Sequence, residues 1–157
     1  MEQLQKEAVV HFLTAHNVPI ETWGTGSAKT LEHLLRELHA KESRLYVLKG
    51  MVIREAEGVL VDVYHWRNSE LLKLFEEKQI FADGRVKTRD TGGSIGEKMY
   101  LGEDPRRAVF RALSEELGIS EEIDIIPAGV QLKGPVPSDS FPGLHSLYTV
   151  HRFETFV

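Results

Sequence analysis

The sequence predicts an α/β or α+β sandwich, and three observations carry that prediction. Leu31, Leu34, Leu35 and Leu38 fall at helical spacing, which makes one apolar face. Leu45 to Ile53 and Gly58 to Trp66 are dense in β-formers instead. The two textures alternate along a single chain of 157 residues, of which 41% are apolar, enough for one core.

In chain order, Leu4, Ala8, Val9, Phe12 and Leu13 give residues Glu2 to His16 a helix with one buried stripe, ended near Pro19. Ser27 is the expected cap of a second helix running to about Lys41. The β-rich runs 45–53 and 58–66, broken at Glu-Ala-Glu-Gly, read as a strand pair, and 69–79 reads as a helix through Leu71, Leu72 and Phe75. Asp83-Gly84 marks a turn, with a short strand at 85–89. Asp104-Pro105 opens a helix that Gly118 closes, because Asp caps well, Pro suits the first helical position and Gly adopts the left-handed stop. A strand at 123–132, a Pro/Gly/Ser loop at 133–145 and a final strand at 146–157 complete the chain.

Composition removes several function classes. Nineteen basic residues against 24 acidic ones leave a formal charge of -5, which argues against general nucleic-acid binding. No cysteine is present, so disulfides, thiolate catalysis and cysteine-ligated zinc are excluded. No stretch reaches the ~18 apolar residues of a membrane span, and the N-terminus lacks the pattern of a secretion signal, so a cytoplasmic protein without membrane association is the expectation.

Chemistry concentrates between Gly92 and Ile119. The Gly92-Gly93 pair allows close approach of backbone to a ligand. Glu103 stands just ahead of a helix whose last turn carries Glu115 and Glu116, a placement that opposes the helix dipole. Clustered carboxylates with a free carbonyl suit hard cations such as Mg²⁺ or Mn²⁺.

This stretch resembles the signature box of the Nudix hydrolases, which cleave nucleoside diphosphates linked to a further moiety. The family pattern is Gly, five residues, Glu, seven residues, then Arg-Glu-apolar-x-Glu-Glu-x-Gly-apolar. Glu103, seven residues and Arg111-Ala112-Leu113-Ser114-Glu115-Glu116-Leu117-Gly118-Ile119 match its second half in register. The resemblance implies a Nudix-like α/β/α sandwich with a mixed sheet. It also implies a metal held by the Gly93 carbonyl, Glu115 and Glu116, with Glu103 and Arg111 in support. Two departures stand out. Nine residues separate Gly93 from Glu103, a four-residue insertion, and Ala112 replaces the Glu after Arg111. Positions 112 and 116 lie one helical turn apart, so the absent carboxylate is expected to point into the same site as Glu116, and Ala112→Glu to maintain or raise activity. With Ala112 present, the base falls to Glu115, Glu116, or an acid elsewhere such as Glu97 or Asp139.

Other signals are weaker. A phosphate-loop reading of residues 23–30 fails because Trp23 and Ala28 stand where glycines are required. The bland reading is a turn whose Trp23 anchors the N-terminal helices. The seven histidines show no zinc spacing, and neither Ser138 nor Ser140 sits in a nucleophile elbow. In the late loop, Phe141, His145 and Tyr148, with Asp139 and Glu97, are candidate substrate contacts.

The expected organisation is a helical extension over 1–42, packed on a Nudix-like domain over 43–157. The expected function is Mg²⁺- or Mn²⁺-dependent hydrolysis of a pyrophosphate linkage in a nucleotide-like substrate. The alternative is a catalytically silent domain that binds a nucleotide or a protein. A homodimer through the Leu31/Leu34/Leu35/Leu38 face is a further expectation.

Overall fold

The computed structural model describes residues 2–88 and 93–157, with backbone alone for residues 2–4 and Lys87. Gly92 and Arg89 therefore lie outside the described residues, as does the side chain of Leu4. The fold class is α/β with a mixed sheet, as expected, and three α-helices occur among the described residues. The elements are α1 (Glu2–Ala15), α2 (Leu31–His39), β1 (Ser43–Leu48), β2 (Met51–Arg67), β3 (Glu70–Lys73), β4 (Gln79–Ile80), β5 (Val86–Lys87), β6 (Ile95–Lys98), α3 (Pro105–Leu117), β7 (Ile125–Pro137) and β8 (His145–Phe156). The main sheet runs β1-β2-β8-β7, with β3 and β6 also paired to β2, and β4-β5 form a separate hairpin. No helix among the described residues is long and apolar enough to cross a membrane.

The chain divides into two compact units, Met1–Glu57 with Leu132–Thr149, and Gly58–Gln131 with Val150–Val157. The first unit is built on the apolar faces of α1 and α2. Leu13, Val18, Trp23, Leu34, Val52, Phe141 and Leu144 form its buried cluster, and Leu31 and Leu38 pack against it. The leucine face of α2 is thus turned inward on its own unit. Trp23 anchors as expected: its indole N–H donates to the Pro142 carbonyl at 2.9 Å, and its ring lies 5.3 Å from that of Phe141. A buried ion pair ties α2 to β2. Arg54 Nε donates to Glu37 at 2.7 Å and Nη1 to the Tyr148 hydroxyl at 2.9 Å. Both charged side chains are at most 6% exposed.

The second unit packs α3 on one side of its strands. Val59, Val61 and Val63 of β2, Ile95, Met99, Ile125 and Phe153 meet Ala108, Val109, Ala112 and Leu113 of α3 in one buried cluster. On β2, alternation turns Leu60 and Asp62 to the opposite side. There Asp62 is contacted by Lys73 at 3.2 Å and by Arg152 at 3.6 Å.

Several boundaries differ from the sequence reading. The cap of α2 is Thr30, not Ser27: its hydroxyl accepts from His33 N–H, and the His33 ring accepts from Thr30 N–H, a reciprocal box. The helix ends at His39 rather than Lys41, whose φ of 58° is left-handed. The break between the first strands is not at residues 55–58. It is the two-residue turn Lys49-Gly50, both with positive φ, as a tight hairpin requires. Glu55 stays inside β2 because Arg44 stands opposite and bonds it. The helix expected over 69–79 is instead strand β3 followed by irregular chain. Asn68 and Ser69 both take positive φ, folding 70–73 back onto β2 in the register Trp66↔Leu71 and Tyr64↔Lys73. Strand β7 extends to Pro137, which shortens the late loop to 138–144.

Candidate active site on α3 and β6

Helix α3 has the limits its sequence predicts. Asp104 accepts from Arg106 N–H at 3.0 Å, Pro105 takes the first position, and Gly118 closes the helix at φ 67°. The same periodicity that buries Ala108, Val109, Ala112 and Leu113 leaves Arg111 half-buried and Glu115 and Glu116 exposed.

Strand β6 pairs antiparallel with β2, placing Glu97 opposite Val59 and Ile95 opposite Val61. Ile95 and Met99 both belong to the cluster built around α3. Glu97 lies between them at strand alternation, so its side chain faces α3 as well. It meets Glu115 there. Partial burial, followed by the charge and hydrogen bonding of Glu115, raises the Glu97 carboxyl above the usual glutamate range, against an opposing pull from Arg111.

Arg111 is the fixed centre of this group. Its Nη1 and Nη2 donate to the two carboxylate oxygens of Glu103, the second at 3.1 Å, and Nη2 also donates to the Lys98 carbonyl at 2.8 Å. The Tyr100 N–H donates to Glu103 at 3.2 Å, and the Tyr100 ring lies 5.1 Å from the guanidinium. The bidentate bond to Arg111 is the main cause holding Glu103 below the usual glutamate range, and the same bond raises Arg111. One arginine thereby fastens α3 to the end of β6 and to the turn preceding the helix.

Glu97, Glu103, Arg111 and Glu115 therefore come together, while Glu116 is the exposed neighbour of Glu115. Gly93 is placed against β2: a Cβ there would lie 3.2 Å from Asp62 Oδ1 and 3.5 Å from Leu60 Cβ. Ala112 differs from its sequence reading. It is fully buried in the apolar cluster, so a side chain at 112 starts in the core and not beside exposed Glu116. One helical turn of separation brings two positions to neighbouring azimuths, yet the core boundary runs between them.

Asp139, Phe141, His145 and Tyr148 belong to the first unit. Asp139 is exposed, Phe141 is fully buried against Trp23, and the Tyr148 hydroxyl is held by Arg54. Sequence reasoning missed the buried Glu37–Arg54 pair and the Asp62 cluster. Their partners are 17 residues apart in one case and come from three different strands in the other, so no local motif signals either.

Among the described residues no group of three or more His, Asp or Glu is arranged to hold a metal ion. The donors that do converge are the carboxylates of Glu97 and Glu115. Two carboxylates fit Mg²⁺ or Mn²⁺, which keep several waters and complete their shell with substrate phosphates.

No family model matches the chain, and no curated protein matches it. Two solved structures are similar in fold. One is the C. elegans Ap4A hydrolase, at 12% identity over 64% of this chain and 68% of that one, with a TM-score of 0.38. The other is a mutT/nudix family protein from Listeria innocua, at 18% identity over 64% of each chain, with a TM-score of 0.39. The match thus spans less than two thirds of the Listeria protein.

Proposed function

We propose that the chain is a divalent-metal-dependent hydrolase of a pyrophosphate linkage in a nucleotide-like substrate. The observation that supports this reading best is the meeting of Glu97 and Glu115 beside the Arg111–Glu103 clamp. Burial, and then the neighbouring charge of Glu115, disfavour the charged form of Glu97, and a bound cation would offset both. Glu97 and Glu115 would hold Mg²⁺ or Mn²⁺, with Glu116 the next donor on the helix. The ion would neutralise phosphate oxygens and make a bound water more acidic. Arg111 and Glu103 do not reach out to substrate in this arrangement. They spend their hydrogen bonds on each other and on the Lys98 carbonyl, keeping the two acids in register.

The test is a hydrolysis screen over nucleotide sugars, dinucleoside polyphosphates and nucleoside triphosphates, with Mg²⁺, with Mn²⁺ and with chelator. Metal-dependent turnover is expected, falling roughly a hundredfold or more in Glu115→Gln and Glu97→Gln. Calorimetric titration of Mn²⁺ supplies a second readout, and weaker binding in both variants is expected. Full activity in both variants would sink the reading.

Buried Ala112 favours a second reading, a silent domain that binds a nucleotide without turning it over, because the carboxylate of the family pattern is absent there. Nucleotide binding without product, unaffected by chelator, is its signature.

A further inference from the structure

The turn between β6 and α3 holds one aromatic ring in place without burying it. Tyr100 opens the turn Tyr100-Leu101-Gly102-Glu103: its carbonyl accepts from Glu103 N–H at 3.0 Å, and Gly102 takes φ 79°, the left-handed value that suits glycine at the third position of a tight turn. The Glu103 carboxylate in turn accepts from Tyr100 N–H at 3.2 Å, so one residue fixes both backbone groups of Tyr100. The ring is fixed as well. The Arg111 guanidinium lies over it, 5.1 Å from the centroid, and Arg111 is itself engaged by Glu103 and by the Lys98 carbonyl. Held at both backbone and ring, Tyr100 is nonetheless 47% exposed. The preceding residue, Met99, belongs to the buried cluster around α3, and Tyr100 has no part in that cluster.

We propose that Tyr100 is the platform on which the nucleobase of the substrate stacks, and so the residue that selects a base-bearing diphosphate over one without a base. This rests on the reading of Glu97 and Glu115 as the phosphate end of the site. The same two elements carry both ends. Tyr100 follows Glu97 in the chain just past the end of β6, and Arg111, on which the ring leans, precedes Glu115 by one turn of α3. With the guanidinium over one face of the ring, the exposure falls on the other face and on the hydroxyl edge. Every base presents a flat π-face, so such a ring takes purines and pyrimidines alike. Because backbone and ring are already fixed, stacking costs little further side-chain entropy. Because Glu103 matches the charge of Arg111, the guanidinium behind the ring does not draw the phosphates away from the acid pair and its cation.

Calorimetric titration of the full chain in the presence of Mn²⁺ tests this with two ligands that resist hydrolysis, α,β-methylene-ADP and methylenediphosphonate. They share the bridged diphosphonate unit and differ in the adenosine. The wild type is expected to prefer α,β-methylene-ADP by about tenfold or more. Tyr100→Ala is expected to abolish most of that preference, whereas Tyr100→Phe, which keeps the ring, retains it; circular dichroism checks that each variant is folded. The preference is a ratio read within one protein. A Tyr100→Ala change that merely loosens Arg111 weakens both ligands alike, leaves the ratio where it was and overturns the proposal. So does a wild type that shows no preference or binds neither ligand, or a Tyr100→Phe protein that loses the preference. Turnover is scored separately, in the hydrolysis screen above. A wild type whose preference depends on the Tyr100 ring but which hydrolyses nothing upholds this inference and refutes the hydrolase reading, and a metal-dependent hydrolase without the preference does the reverse.

Discussion

Ala112 and Glu103 show how much one position can carry. Ala112 is fully exposed to the apolar cluster and not at all to water. Ala112→Glu, which the motif alone suggests as a repair, instead places a carboxylate's stem in a packed core. It is expected to cost about 3 kcal/mol or more of folding stability, measured by urea unfolding at neutral pH. Glu103 behaves oppositely, since its charge is already matched. Its folded carboxyl is held low by Arg111, so its contribution is complete above the unfolded value of roughly 4.3. That contribution is lost as pH falls through the still lower folded value. Glu103→Gln should lower stability at pH 7 by about 1 kcal/mol, allowing for partial solvent screening of the pair, and should flatten the acid limb of the stability profile. An unchanged acid limb in urea titrations below pH 4.3 (roughly the unfolded glutamate value) would show that another carboxylate governs it.

Among the elements, the helices and the strands differ in what defines them. The ends of α3 come from its own residues: Asp104, Pro105 and Gly118 act locally, and the structure has the boundaries they dictate. Strand β3 has no such local authority. Leu71, Leu72 and Phe75 fit a helical stripe, yet two positive-φ residues at 68–69 fold the segment back onto β2, and cross-strand pairing decides its state. Helix α2 is tied to β2 by Glu37 and Arg54, a bond between elements that neither sequence segment announces. Removing one partner strands the other charge in the interior. Glu37→Ala is accordingly expected to cost about 3–5 kcal/mol, whereas Tyr148→Phe, which removes one hydrogen bond, should cost about 1 kcal/mol; thermal and urea unfolding of both variants provide the comparison.

At the scale of the whole molecule, the N-terminal helices belong to a unit that also takes in residues 132–149. Leu13, Trp23 and Leu34 supply much of its buried cluster, together with Val52, Phe141 and Leu144. Deleting residues 1–42 is therefore expected to unfold residues 132–149 with them, seen as lost amide-exchange protection there. Protection retained in that segment would mean that the helices are a dispensable addition.

The sequence by itself determined the α/β class, the limits of α3, and the presence of Glu103, Arg111, Glu115 and Glu116 on or next to one helix. These follow from short-range rules: caps, periodicity and spacing act within a few residues. Only the tertiary structure decided that Glu97 faces Glu115, that Gly93 lies against Asp62, and that Ala112 is core. Each of those depends on which side of β6 or α3 meets its neighbour. Strand register sets that side, and one residue of slip reverses it, so the outcome belongs to the pairing of β6 with β2 and to no single stretch of sequence.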